Sequence, residues 1–114
     1  MTDAQVNADA GAETPAGRLA ALIALTRSLA GIVEIENLAL FDDRAEDLAP
    51  LQPEKARLAA AYAQSVRLVA ADRAGAARVE AGLLAELRAA TEAFTARVAR
   101  QRTLLDGQAL GAGA

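Results

Sequence analysis

The chain has no cysteine, no histidine and no tryptophan, and it carries only one lysine, one tyrosine and two phenylalanines in 114 residues. Lack of cysteine excludes disulfides and thiolate metal sites and gives no support for an oxidising compartment. With histidine missing as well, nucleophilic dyads and most metal sites lose their usual members, and carboxylates and hydroxyls are left as the main chemical groups. A carboxylate dimetal bundle wants a Glu-x-x-His motif, which does not occur here. The only glycine cluster, GAGA at the end, precedes no helix and so makes no phosphate loop. These absences argue against an enzyme and against a bound cofactor or metal.

Long hydrophobic runs are also missing. The most apolar stretch, residues 19–33, is broken by Arg27 and is too short to span a bilayer. The opening MTDAQVNADAGAETPAGR is polar and acidic, with no apolar signal core, so a cytoplasmic protein is expected. Prolines number three, and of the apolar residues 32 are alanine and 29 carry a larger side chain. Alanine, leucine, glutamate and arginine lose least on entering a helix, so this composition favours helices over a sheet. The core they can build is thin, which suits an elongated assembly that a partner helps to complete.

Charge is unevenly divided. Residues 1–54 carry a net −7 and residues 55–114 a net +4, so the halves attract when the chain folds back on itself. The bases are spread around helices without aromatic stacking platforms, which argues against nucleic acid as a ligand. Arg97, Arg100 and Arg102 read as a solvated helix end, where positive charge is favoured by the macrodipole.

Punctuation along the chain divides it into three helices. Residues 1–13 read as a disordered acidic tail. Thr14-Pro15 supplies an N-cap and a first-turn proline for a helix over 15–43. Two prolines in FDDRAEDLAPLQPEK mark a connection, after which a second helix runs over 53–71. ADRAGAAR marks another connection, a third helix covers 77–106, and Gly107 serves as its stop before a flexible tail over 107–114.

At 100° per residue, the first helix gathers Leu19, Leu22, Ile23, Leu25, Leu29, Ile32, Val33, Leu40 and Phe41 on one broad side. The second offers Leu58, Tyr62, Val66 and Val69, and the third Val79, Leu83, Leu87, Phe94, Val98 and Leu105. Each helix thus has one face to bury. The expected fold is all-α: an elongated antiparallel helical hairpin or three-helix bundle with coiled-coil-like packing over residues 14–106.

One stretch breaks the apolar pattern. In EIENLAL, residues 34–40, Glu36 and Asn37 project into the packing side, Glu34 lies at its margin, and Ile35 and Leu38 face outward. Glu34 and Glu36 are about 200° apart, so they cannot converge on one substrate. Polar groups inside a helical interface fix register at some cost in stability, and that role is expected of Glu36 and Asn37, with Lys55 as the third member of the polar set. Lys55, in the first turn of the second helix, is either solvated or a partner for Asp42, Asp43 or Glu36; exposed pairs contribute little, which favours the solvated reading. Ile35 and Leu38, two large apolar residues facing out together, mark a possible second contact surface.

The run IVEIENLAL, followed by DLAPLQPEKARL, resembles the FlgN-type flagellar export chaperones, especially their short alphaproteobacterial members. The matching positions are Glu36, Asn37, Leu40, Leu48, Leu51, Lys55 and Leu58, within a resemblance that covers residues 18–105. It implies a cytoplasmic chaperone that holds hook-associated subunits by an amphipathic terminal helix before type III export, with no bond made or broken. It also implies a client surface in the C-terminal helical region, here Leu83, Leu87, Phe94, Val98 and Leu105. The alternative is a structural coiled-coil adaptor that pairs with itself or with another helical protein. Neither reading requires a cofactor.

Overall fold

A computed structural model describes residues 13–113, with side chains described for 13–109. Four helices follow one another: α1 (Pro15–Phe41), α2 (Gln52–Ala70), α3 (Arg73–Ala77) and α4 (Ala81–Gly113), and no strand occurs among the described residues. The molecule is elongated, 59 × 31 × 21 Å. No helix among these residues is long and apolar enough to cross a membrane. The expected acidic tail over 1–13 lies almost wholly outside the described residues.

Local chemistry sets the helix ends. Thr14 caps α1 as expected: its Oγ1 accepts from the Gly17 N–H at 3.0 Å, and Pro15 takes the first helical position, where its missing donor costs nothing. At the other end Asp43 adopts φ 59°, a left-handed conformation that aspartate tolerates better than most residues. The Arg44 N–H then reaches back to the Ala39 carbonyl at 2.7 Å and the Asp43 N–H to the Leu40 carbonyl at 3.2 Å. These two bonds form a Schellman motif, which stops α1 at Phe41, two residues before the expected end. Two single-turn 3-10 helices, Ala45–Asp47 and Ala49–Leu51, carry the chain over to α2.

α1 runs up, α2 down and α4 up again, so α4 is parallel to α1. The expected third helix over 77–106 is corrected at both ends. It begins later because Asp72 caps the short α3, accepting from the Gly75 N–H at 2.9 Å, and the chain turns again before Ala81. Asp72 also receives Arg18 at 3.1 Å, which ties α3 to the start of α1. Gly75 is buried there, and only glycine fits, because a β-carbon would run into the Asp72 carboxylate and the Pro15 ring. At the far end Gly107 does not stop the helix, and residues 107–113 are helical rather than a flexible tail. No glycine among the described residues has a positive φ, so none supplies the left-handed cap that a stop requires.

α1 is the central element and packs against both α2 and α4. Its buried residues step by three and four: Leu19, Leu22, Thr26, Leu29, Val33, Glu36 and Leu40. A parallel line through Ile23, Ala30 and Asn37 is buried as well, which widens the face enough for two partners. The same spacing runs through α2 at Lys55, Leu58, Tyr62, Ser65 and Val69, extended at its two ends by Leu51 and Asp72, and through α4 at Leu83, Leu87, Ala90, Phe94, Arg97, Gln101, Leu104 and Gln108; every one is buried or half-buried. A repeat averaging 3.5 residues is that of left-handed coiled coils. Each fully buried Leu, Ile or Val in these seams stabilises the fold by roughly 1.5–3 kcal/mol relative to exposure. α2 and α4 meet edge to face through Tyr62 and Phe94, whose ring centroids lie 6.0 Å apart.

Three apolar residues expected inward are elsewhere. Val66, Val98 and Leu105 are exposed, and the seam places belong to Ser65, Arg97 and Leu104, each one residue earlier. Phe41, also expected inside, is 68% exposed at the end of α1, with the Arg100 guanidinium 5.9 Å from its ring centre.

Gly107 lies in open space within α4. Gly107→Ala should therefore stabilise the chain by about 0.5–1 kcal/mol and raise its helicity, since alanine is the better helix former. Chemical denaturation followed by circular dichroism measures this; a loss of stability would mean that Gly107 adopts the left-handed stop after all.

Candidate functional site

The polar residues singled out in the sequence gather in one layer across the three long helices. Glu36, near the end of α1, is 1% exposed. Pro50 and Pro53 flank the entry to α2 and set its first turn against this end of α1, which brings Gln52 and Lys55 to the carboxylate. The Lys55 ammonium lies 2.8 Å from Oε1, the Gln52 amide donates to Oε2 at 2.8 Å, and the Gln101 amide of α4 donates to Oε1 at 3.0 Å. The solvated reading of Lys55 is thus replaced by the pairing one. Lys55 stays half-buried because its four-carbon stem crosses apolar surface while its head meets Glu36.

Two opposing effects act on the Glu36 carboxyl. Burial pushes its pKa up, while hydrogen bonds from Lys55, Gln101 and Gln52 and the Lys55 charge push it down; the net position is below the ordinary glutamate value. The group is therefore an ionised carboxylate at neutral pH, held as an acceptor and not poised as a general acid.

Asn37 adds a second link from α1 to α4. Its Nδ2 donates to the backbone carbonyl of Arg97 at 3.0 Å, while its Oδ1 is buried with no partner among the described residues. Beside it the Arg97 guanidinium reaches Glu34 at 2.9 Å. Arg97 therefore does not belong to a solvated helix end: its backbone and side chain both hold α1. The acidic first half meets the basic second half at Glu36–Lys55 and Glu34–Arg97, whereas Arg18–Asp72 and Arg27–Glu86 pair in the reverse sense.

The expected client-binding residues are divided. Leu83, Leu87 and Phe94 point into the seam and are half-buried, whereas Val98 and Leu105 are open to solvent. α4 is docked along α1, so its apolar stripe is not one free face. The inward roles of Gln101 and Arg97 are signalled in the sequence by the unbroken three-four spacing that runs through them, whereas Gln52 lies off the α2 seam and no spacing signals it.

With this geometry in hand, comparison with known proteins finds no matching family model, no matching curated protein and no matching solved structure. In physical terms the chain is a coiled-coil-like helical domain with a buried, hydrogen-bonded carboxylate across its three long helices.

Removing the Lys55 charge while leaving Glu36 buried should cost about 2 kcal/mol, less than a fully buried pair because two glutamine donors remain and Lys55 is partly exposed. In a double-mutant cycle, Glu36→Met and Lys55→Met should couple by about 1–3 kcal/mol, measured by urea unfolding. Additive losses would contradict the pairing. The lowered Glu36 pKa gives a sign for pH dependence: the native state binds fewer protons than the unfolded chain, so its contribution is full above the unfolded value of about 4.3 and is lost as pH falls through the folded one. Unfolding free energy should fall more steeply with acid below about pH 5 in the wild type than in Glu36→Gln.

Proposed function

We propose that this chain is a non-enzymatic binding module, a cytoplasmic chaperone that shields amphipathic terminal helices of hook-associated flagellar subunits before type III export. Two things support the reading: the resemblance carried by Glu36, Asn37, Lys55 and the leucines around them, and an uncovered apolar line on α4. The line is the observation that carries it. Val98 and Leu105 lie one seven-residue step apart and are 42% and 45% exposed. Thr91 and the half-buried Leu84 continue the line at the same interval.

An amphipathic helix laid beside this line would bring its own residues at i, i+3 or i+4 and i+7 onto the exposed valine and leucine. Exposed Arg88 and Arg102 border it on α4 together with exposed Glu92 and Asp106, so the polar edge of the bound helix should carry charges of both signs. The client surface is accordingly narrower than the stripe first expected, with Leu83, Leu87 and Phe94 supporting α4 from below.

The test is calorimetric titration of the full chain with peptides spanning the terminal helices of hook-associated subunits. Val98→Asp combined with Leu105→Asp should weaken binding by about thirtyfold without loss of helicity, as expected for central apolar contacts. Ile35→Asp, on another face, should leave it unchanged. Absence of binding to every such peptide, or binding indifferent to the α4 substitutions, would contradict the proposal.

A further inference from the structure

α1 has a second regular face. On the side away from α2 and α4, the residues at three-four spacing are Ala21, Ala24, Ser28, Gly31, Ile35 and Leu38, all exposed. The outward face of a surface helix normally carries charge, since water solvates it there at no cost. This one carries none over 18 residues, and it ends in Ile35 and Leu38, which are 53% and 54% exposed. Its spacing is again that of a coiled-coil seam.

We propose that this face is the contact through which two copies of the chain pair, α1 against α1, antiparallel about a two-fold axis between residues 29 and 30. Size and charge both select that arrangement. In antiparallel pairing with this axis, Ile35 lies over Ala24 of the second copy and Leu38 over its Ala21. Each large exposed side chain thus meets a small one. At the centre Ser28 meets Gly31, where a side chain would find only open space in the single copy, so the two backbones can approach closely.

Along one margin of the face the only charged residues are Arg27 and Glu34, one seven-residue step apart. The same axis brings the Arg27 margin of one copy against the Glu34 margin of the second, two residues from level and within reach of two long side chains, and by symmetry the pair forms twice. Both keep room for this. Arg27 reaches Glu86 only loosely, at 3.7 Å with its side chain 59% exposed, and the Glu34 side chain is 43% exposed beside Arg97. A parallel arrangement in the same register sets Ile35 against Ile35 and Leu38 against Leu38, bulk with bulk, and turns the Arg27–Glu34 margins of the two copies to opposite sides, where they cannot pair. Self-complementarity of one patch about a two-fold axis is what a closed dimer requires. The face is distinct from the α4 line, so a client and a second copy can be held together.

Sedimentation equilibrium on the full chain should show a dimer. Leu38→Lys, and separately Ile35→Lys, should give monomers with unchanged circular dichroism and unchanged peptide binding at α4. Because the chain has no cysteine, the register can be read by cross-linking. Ser28→Cys combined with Gly31→Cys should oxidise to a covalent dimer, and Ala24→Cys alone should not. A wild-type monomer, or a dimer that survives both lysine substitutions, would overturn the proposal, and efficient self-cross-linking of Ala24→Cys would overturn the antiparallel register.

Discussion

A carboxylate held away from water is the constraint on which the arrangement of the helices depends. Taking Glu36 out of solvent costs several kcal/mol, and the cost is offset only while donors occupy both oxygens. Those donors come from two different helices: Lys55 and Gln52 from α2, Gln101 from α4. A shift of α2 or α4 by one residue carries its donor to another side of the helix and leaves the charge unpaired. Apolar seams made largely of alanine and leucine are tolerant of such slips, because one small apolar contact replaces another at little cost. Glu36, with Asn37 on the carbonyl of Arg97, removes that tolerance. The orphaned Oδ1 of Asn37 is part of the cost of this layer.

Seen from this layer, the two sides of α1 have different tasks. Inside, its widened seam accommodates two helices, which explains why Ile23, Ala30 and Asn37 are buried beside the main series. Outside, the regular spacing persists but charge is absent from it, and the large residues are confined to one end. α4 shows a related division, with a seam that becomes polar at Arg97 and Gln101 and an apolar line next to it at Val98 and Leu105. Apolar surface is therefore presented on two separate faces of a molecule only 21 Å thick, with the carboxylate layer holding the helices that carry them.

Much of this was legible in the residues. The all-α fold followed from alanine, leucine and sparse proline, the start of α1 from Thr14-Pro15, and the inward turn of Glu36 and Asn37 from simple projection. Illegible parts share a cause. Val66, Val98 and Leu105 read as seam residues because they are apolar, while the true places, held by Ser65, Arg97 and Leu104, lie one residue earlier. A straight projection at 100° per residue also drifts by about 20° per heptad from a 3.5-residue seam, which is enough to carry Phe41 inward on paper over three heptads. The continuation of α4 past Gly107 depends on that residue keeping helical backbone angles, which glycine permits but does not announce. Gln108 helps from a distance by donating to the Leu40 carbonyl at 3.4 Å.

The central claim is that Glu36 is an ionised, fully engaged carboxylate at the junction of three helices. Its titration, followed by carbon-13 chemical shift of the side-chain carboxyl in the intact chain, tests this most directly. The account predicts a midpoint clearly below the ordinary glutamate value of about 4.3, moving upward in Lys55→Met. A midpoint at or above that value, unmoved by loss of Lys55, would contradict it.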